Sequence, residues 1–260
     1  MKYDFQNAQG EMANALTIAR QFAMDEVDLI CAITTPCAQA AVKATNTIPI
    51  VVNGVTDPVS AGVIASWDDS GNNVTGVSDM NPFKETIDLY LEILPHLKRL
   101  GFLYNAGESN SVYSAEKVKE ILTKKGIAFV PTTVSASNEV YMAAQTLADR
   151  ADAMAYPTDN TISSALESVI KVAIDRKVPF FGMDIRSVER GAVAALGHIE
   201  YEIGRSAAGK ADQVLKGKRP QDVKFTIGDK FNLYVNLKSA KSMGVEVPDS
   251  VIRKAAKVIQ

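Results

Sequence analysis

Four places in the 260-residue sequence set short hydroxyl, amide and carboxylate side chains directly after an apolar run. "ITTPCAQAA" puts Thr34 and Thr35 before Pro36, and "VNGVTDPVSAG" puts Thr56 and Asp57 before Pro58. "LYNAGESNS" carries Tyr104, Ser109, Asn110 and Ser111; "YPTDNTIS" carries Tyr156, Thr158, Asp159 and Asn160. Each reads as a strand end running into a helix start. Thr34 or Thr35 is placed to cap a helix, and proline suits the first helical turn because its missing N–H would have had no partner there. Free backbone N–H groups and the helix dipole favour an anion at such a point. The small Ala38 and Ala41 behind it let a ligand approach the backbone. An ordinary cap without a ligand would give the same pattern, and taken singly Asp57 and Asp159 read as caps first. Together, four such ends with two tyrosines beside them have the composition of a polar cleft for a small molecule.

That composition suits binding better than turnover. The sequence holds no G-x-S-x-G, Walker A, G-x-G-x-x-G or H-E-x-x-H motif. Asp57, Asp159 or Asp184 could in principle pair for acid–base work, but nothing in their spacing requires it. His96 and His198 stand far apart without a Cys or His at ligand spacing, so neither a metal nor a cofactor is expected. Cys31 and Cys37 are read as buried free thiols, since a strand residue and a helix-start residue aim differently.

The elements that would position these residues follow an alternating order. "VDLICAI", "IPIVVNGV", "NVTGVS", "RLGFLYN", "IAFVPTTV", "DAMAYP" and "VPFFGM" read as strands, with "PVSAGVIASW" and longer amphipathic stretches as helices between them. Helices of about 10–16 residues between strands indicate βαβ units and parallel sheets. "KFTIG" and "FNLYVNL" are expected to pair, with "SAKSMG" and "DSVIRKAAKVI" as terminal helices. One internal similarity stands out: "DLICAITTPCAQAAV…TIPIVVNGVTDPVSAG" parallels "DAMAYPTDNTISSAL…KVPFFGMDIRSVERGA". Each runs strand, threonine-bearing turn, helix, then an Ile/Val-Pro strand ending in an acidic turn and a glycine, which predicts two similar α/β lobes.

Composition bounds the rest. Hydrophobic residues make up 47%, and 28 basic against 30 acidic residues leave a net charge of −2, so no bulk field recruits nucleic acid or an anionic membrane. "KGKRPQDVK" reads as a solvated turn. No run approaches the roughly 18 apolar residues of a membrane span. "MKYDFQNAQGEM" lacks the apolar stretch of a signal peptide, and as written the chain reads as soluble.

The succession "ATNTIPIVVNGVTDPVSAG…GNNVTGVSD", "YNAGESNS" and "YPTDNTISSAL" resembles ABC-transporter substrate-binding proteins of the tryptophan/tyrosine type. The likeness runs from "YDFQNAQGEM" to "VPDSVIRKAAKVI", essentially the whole chain. It implies the type I periplasmic-binding-protein fold: two Rossmann-like α/β lobes with parallel sheets joined by a hinge. It also implies a monomeric, extracytoplasmic protein that takes up a small zwitterionic or anionic solute between its lobes. The protein would deliver that solute to a membrane permease, with no enzymatic step. By that resemblance Thr35 and the helix behind it hold a ligand carboxylate. Ser109, Asn110, Ser111, Thr158, Asp159 and Asn160 approach from the second lobe, and Asp184 faces an ammonium. Lobe one is expected at 1–79 and 192–230 and lobe two at 80–191, with 231–260 crossing back at the hinge. Crossings are expected near Ser78–Pro82, near Val188–Ala195 and near the last strands.

The sequence departs from that pattern in three ways. Family members usually carry a further strand and helix before the point where this chain starts, so "KYDF" would be the second strand of lobe one and a central strand would be lacking. Where the family often shows Asp-Thr-Asp after "VPFFG", this chain has "DIR"; Arg186 would repel an ammonium if it points inward and would not if it points to solvent. Cys37 and Trp67 also occupy positions that often hold other residues. A ligand-sensing domain of a regulator, or a small-molecule α/β enzyme, are the rival readings of the same pattern.

Overall fold

Apolar runs bounded by polar turns form ladders wherever a neighbouring run can take their backbone hydrogen bonds. In the computed structural model, which describes residues 2–260, helix α1 (Met12–Met24) leads to strand β1 (Ile30–Ile33) and helix α2 (Thr35–Ala44). Strands β2 (Ile50–Asn53) and β3 (Val74–Ser78) follow, then α3 (Phe83–Ile93), β4 (Arg99–Asn105), α4 (Ser109–Lys124), β5 (Ala128–Val134) and α5 (Val140–Ala148). Next come β6 (Ala153–Tyr156), α6 (Asn160–Ser164), α7 (Leu166–Arg176), β7 (Phe180–Gly182), α8 (Ile185–Arg190), β8 (Ala194–His198) and α9 (Glu200–Leu215). The chain ends with β9 (Thr226–Ile227), β10 (Phe231–Asn236), α10 (Leu237–Ser242), α11 (Asp249–Ile252) and β11 (Lys257–Ile259).

The chain divides into two units, Met1–Met80 with Glu200–Asp229, and Asn81–Ile199 with Lys230–Gln260. In the first, β1, β2, β3 and β9 form an all-parallel sheet in that order. Strand β2 shows why its sequence is apolar on both faces. Ile50 and Val52 join a core with Ala38, Val55, Val63 and Val74. Val51 instead meets Ile203, Ala207 and Val214 of α9. Helix α1 lies on α2 through small residues, Ala15 and Ala19 against Ala40.

In the second unit β5, β4, β6 and β7 form a parallel sheet in that order, so the carboxyl ends of β4, β6 and β7 share one edge. A smaller sheet sets β10 between β8, antiparallel to it, and β11, parallel to it. Tyr90 of α3 stacks on Phe181 with centroids 4.5 Å apart and donates its hydroxyl hydrogen to the Gly182 carbonyl at 2.9 Å, anchoring the end of β7.

The structure corrects several local expectations. "KYDF" is not a strand: no neighbour among the described residues supplies a ladder for it, and Tyr3 and Phe5 stand 84% and 81% exposed. "PVSAGVIASW" is a series of turns rather than a helix. "KFTIG" and "FNLYVNL" do not pair, because β9 takes the edge beside β3 while β10 pairs with β8 and β11. The last segment is one helical turn followed by β11. Residues 192–199, expected with the first lobe, belong to the second unit because β8 pairs with β10 there, so that crossing falls at 199/200. Residues 231–260 likewise join the second unit. Both cysteines are free, but Cys31 is exposed, since alternate residues of β1 face outward, and Cys37 on α2 is half-buried.

Candidate functional site

In the first unit Thr34 closes β1 and opens α2. Its backbone sits at φ 79°, ψ 158°, strained for a β-branched residue, and its side chain makes no capping bond. Its N–H donates to the Asn53 carbonyl at 3.1 Å, tying the end of β1 to the end of β2. Thr35 is buried at the first position of the helix and Pro36 follows it. Beyond β2, Asp57 Oδ1 accepts from the Ser60 N–H at 2.8 Å, and Thr56 Oγ1 donates to Asp79 Oδ1 at 3.2 Å. Ser78 at the end of β3 donates to the Thr56 carbonyl at 2.8 Å. Thr56 is thus held by Ser78 and Asp79 at the end of β3 and Asp57 by its own turn, and both are buried.

The second unit brings its predicted residues into one hydrogen-bonded cluster. Asp159 caps α6 by accepting from the Ile162 N–H at 2.7 Å. Its other oxygen accepts from the Asn105 N–H and the Ser111 hydroxyl, each at 2.7 Å, which joins the end of β4 to the end of β6. Asn110 Nδ2 donates to the Thr158 carbonyl at 2.8 Å, and Thr158 Oγ1 accepts from Asn81 Nδ2 at 3.0 Å. Ser109 opens α4 beside them. Tyr104, at the end of β4, is half-buried with its ring 6.1 Å from that of Phe102.

At the hub sits a residue that the sequence reading passed over. Glu108 is buried, and its Oε2 accepts from the Asn160 N–H at 3.1 Å, from Asn160 Nδ2 at 2.6 Å and from Asn110 Nδ2 at 3.4 Å. Its Oε1 accepts from the Thr161 N–H and from Thr161 Oγ1, each at 2.9 Å. One carboxylate therefore fixes the first residues of α6 and the amide of Asn110 together. Burial, and then the neighbouring Glu108 charge, push the Asp159 carboxyl up to about 6, outweighing the three donors that stabilise its anion. The signal lay in "YNAGESNS", where Glu108 stands among the serines and asparagines, but its partners lie about 50 residues away.

Beside this cluster, Tyr156 is fully buried with its ring stacked 5.5 Å from Phe180, and it donates a hydrogen bond to Asp184 Oδ2. Burial first, then the Asp184 charge, raise the Tyr156 hydroxyl well above its ordinary value, so it stays a donor. Asp184 Oδ1 accepts from the Ser187 N–H at 2.9 Å, repeating the Asp57–Ser60 turn of the first unit. Gly182 is required there: a Cβ at this position would lie 2.0 Å from Ser187 Oγ and 3.1 Å from the Tyr156 ring. Arg186 lies exposed on α8. Among the described residues no group of His, Cys, Asp and Glu could hold a metal, and no helix is long and apolar enough to cross a membrane.

Two α/β units, each presenting hydroxyls, amides and capped carboxylates at the carboxyl ends of parallel strands, define a solute-binding protein of the type I periplasmic-binding-protein class. The family model for ABC transporter substrate binding proteins matches residues 1–259, and the chain belongs to that family. A tyrosine-binding protein of Clostridioides difficile (strain R20291) is 38% identical over 247 residues, which are 95% of this chain and 71% of that protein. A conserved domain protein from Vibrio cholerae O1 biovar El Tor superposes with a TM-score of 0.97 at 39% identity, covering 99% of this chain and 87% of that one. An ABC domain from Streptococcus pneumonia in complex with L-Trp gives 0.96 at 31% identity, with 99% and 88% covered. A solute-binding protein of Bacillus halodurans with bound myo-inositol shares the fold at a TM-score of 0.63 and 16% identity, over 90% of this chain and 83% of that one. The family consists of solute-binding proteins of ABC transporters, which work outside the cytoplasm, and not of enzymes.

Proposed function

We propose that this chain binds an amino acid-like zwitterion with an aromatic side chain and presents it to its permease. Thr34, Thr35 and the N-terminus of α2 would take the carboxylate. The second unit would supply Ser109, Asn110, Ser111, Thr158 and Asn160 as hydrogen-bonding partners, with Asp159 fixing them from behind and Asp184 toward the ammonium. Thr56, Asp57, Tyr104 and Tyr156 would shape and support these ends, and Arg186, exposed beside Asp184, would stay in solvent. The observation that carries this reading is the way the second unit treats its carboxylates. Asp159 and Glu108 are consumed by internal donors, and Asp184 is held by Tyr156 and Ser187. What is offered outward is a set of preorganised dipoles with little uncompensated charge, which suits a zwitterion. The relatives named for tyrosine and solved with L-Trp support the aromatic side chain.

The protein would work as a monomer, as the family resemblance implies, and its near-neutral net charge of −2 gives nucleic acid no field to bind. The test is a thermal melt with amino acids, dicarboxylates and nucleosides. At a hundredfold excess over Kd a true ligand adds about 2.7 kcal/mol, a shift of roughly 5–10 °C. L-tyrosine or L-tryptophan is expected to give it. A shift with dicarboxylates alone would show that Arg186 sets an anionic specificity and would overturn the zwitterion.

A further inference from the structure

Asn110 is 4% exposed, and its side-chain amide is polarised in one direction. The NH2 group donates to the Thr158 carbonyl at 2.8 Å, to Ser111 Oγ at 3.3 Å and to Glu108 Oε2 at 3.4 Å. Two of these three partners, a carbonyl and a carboxylate, can only accept, so turning the amide over would set oxygen against oxygen twice. The Oδ1 atom must therefore point the other way, and there it is buried with no hydrogen-bond partner. A buried acceptor left bare is costly, and in native structures such an atom calls for a partner, whether a ligand or an ordered water. The other buried hydroxyl oxygens in that condition, Thr86 Oγ1 and Thr132 Oγ1, lie outside this cluster. Asn110 lies among the strand-end residues of the candidate site.

We infer that Asn110 Oδ1 accepts a hydrogen bond from the solute, so that this point of the site selects a donor, and that Glu108 is the positioning residue that keeps the amide in that orientation. The inference rests on the reading of these strand ends as the solute site. In an aromatic amino acid the donor has two sources, the ammonium N–H or the O–H or N–H of the side chain. An acceptor at this point, such as a ketone or a second carboxylate, would meet a fixed oxygen and be rejected.

The experiment is calorimetric titration of the wild type, Asn110→Ala and Glu108→Gln with L-tyrosine, L-phenylalanine and 3-(4-hydroxyphenyl)propanoate, which lacks the ammonium. Each protein is first checked for a cooperative melt. Asn110→Ala is expected to weaken L-tyrosine roughly 10- to 100-fold, the usual cost of losing a hydrogen bond to a charged or buried group. If the ammonium is the donor, that loss vanishes for the propanoate and persists for L-phenylalanine; if the phenol is the donor, the pattern reverses. In Glu108→Gln the acceptor-only carboxylate that holds the Asn110 NH2 group is lost, so the amide can turn over and set NH2 where Oδ1 now points, and the same discrimination should fall. A merely structural Glu108 would lower the melting temperature and leave the ratio between ligands unchanged. An Asn110→Ala loss equal for all three ligands, or no loss, overturns the inference while the binding reading stands. Failure of the wild type to bind any of the three takes down the aromatic reading itself, and the inference with it.

Discussion

Replacing Asp159 with asparagine should change how stability depends on pH more than it changes stability at any one pH. Asp159 is 1% exposed, and its carboxyl is pushed up to about 6 from an ordinary value of 3.8, by burial first and the Glu108 charge second. A raised folded-state value means that the fold favours the protonated form. Between roughly pH 4 and 6 the native state then holds more protons than the unfolded chain, and stability falls as pH rises through that window. A displacement of about two units corresponds to roughly 3 kcal/mol, the penalty for an ionised Asp159 at neutral pH relative to pH 4. Asparagine cannot ionise, but its NH2 group would face the Asn105 N–H that Asp159 Oδ2 now accepts at 2.7 Å. The variant should therefore be less stable than the wild type at pH 4, by about 1–3 kcal/mol. At pH 7.5 that deficit should shrink or reverse as the wild type takes on its own penalty. Melting temperatures of both proteins at fixed ionic strength from pH 4 to 7.5 measure the gap, expected to move by roughly 6–12 °C toward the variant. Glu108→Gln should lower the pH at which the Asp159 proton is lost, since it removes the second cause. A wild-type-to-variant gap that stays constant with pH would refute the assignment of a raised carboxyl to this pair.

Three further perturbations probe the supports of the site. Tyr156→Phe removes the donor to Asp184 and should cost about 1.5–3 kcal/mol by urea unfolding, with solute affinity falling as Asp184 loses its orientation. Gly182→Ala drives a Cβ to 2.0 Å from Ser187 Oγ, so at least 1–3 kcal/mol should be lost along with the Asp184–Ser187 turn; an unchanged melt would show that β7 can shift. Thr34→Gly relieves the φ of 79° and should be neutral or stabilising by about 1 kcal/mol while weakening solute binding in a titration. A destabilised Thr34→Gly would mean that the strain is not there to relieve.

Period and punctuation made most of the architecture legible. Apart from the turns between β2 and β3, the apolar runs of β1 to β7 separated by amphipathic stretches satisfy their backbone as βαβ units. The acidic turns after β2 and β7 carry the same Asp-x-x-Ser bond, Asp57 to Ser60 and Asp184 to Ser187, which is why the two halves of the sequence look alike. The strand ends that hold Thr35, Ser111, Thr158 and Asp159 were likewise visible, because caps have local signatures. What was not visible depends on distant partners. Glu108 reads as one more polar residue until Asn160 and Thr161 come to meet it. Strand β9 lies within the expected "KFTIG", but its partner was not legible: Val77 and Ser78 at the edge of β3 offer Thr226 and Ile227 a ladder. "KYDF" shows the converse, an alternating pattern that finds no partner among the described residues and so forms no strand.

Under the proposed function, the chain captures a zwitterionic aromatic solute and releases it unchanged. Titration calorimetry of L-tyrosine and L-tryptophan into the purified protein, followed by mass spectrometry of the recovered solute, tests this directly. Saturable one-to-one binding of at least one of the two is expected, with all of it recovered intact. A cooperatively folded protein that gives no binding heat with either, or a solute recovered chemically altered, would contradict it.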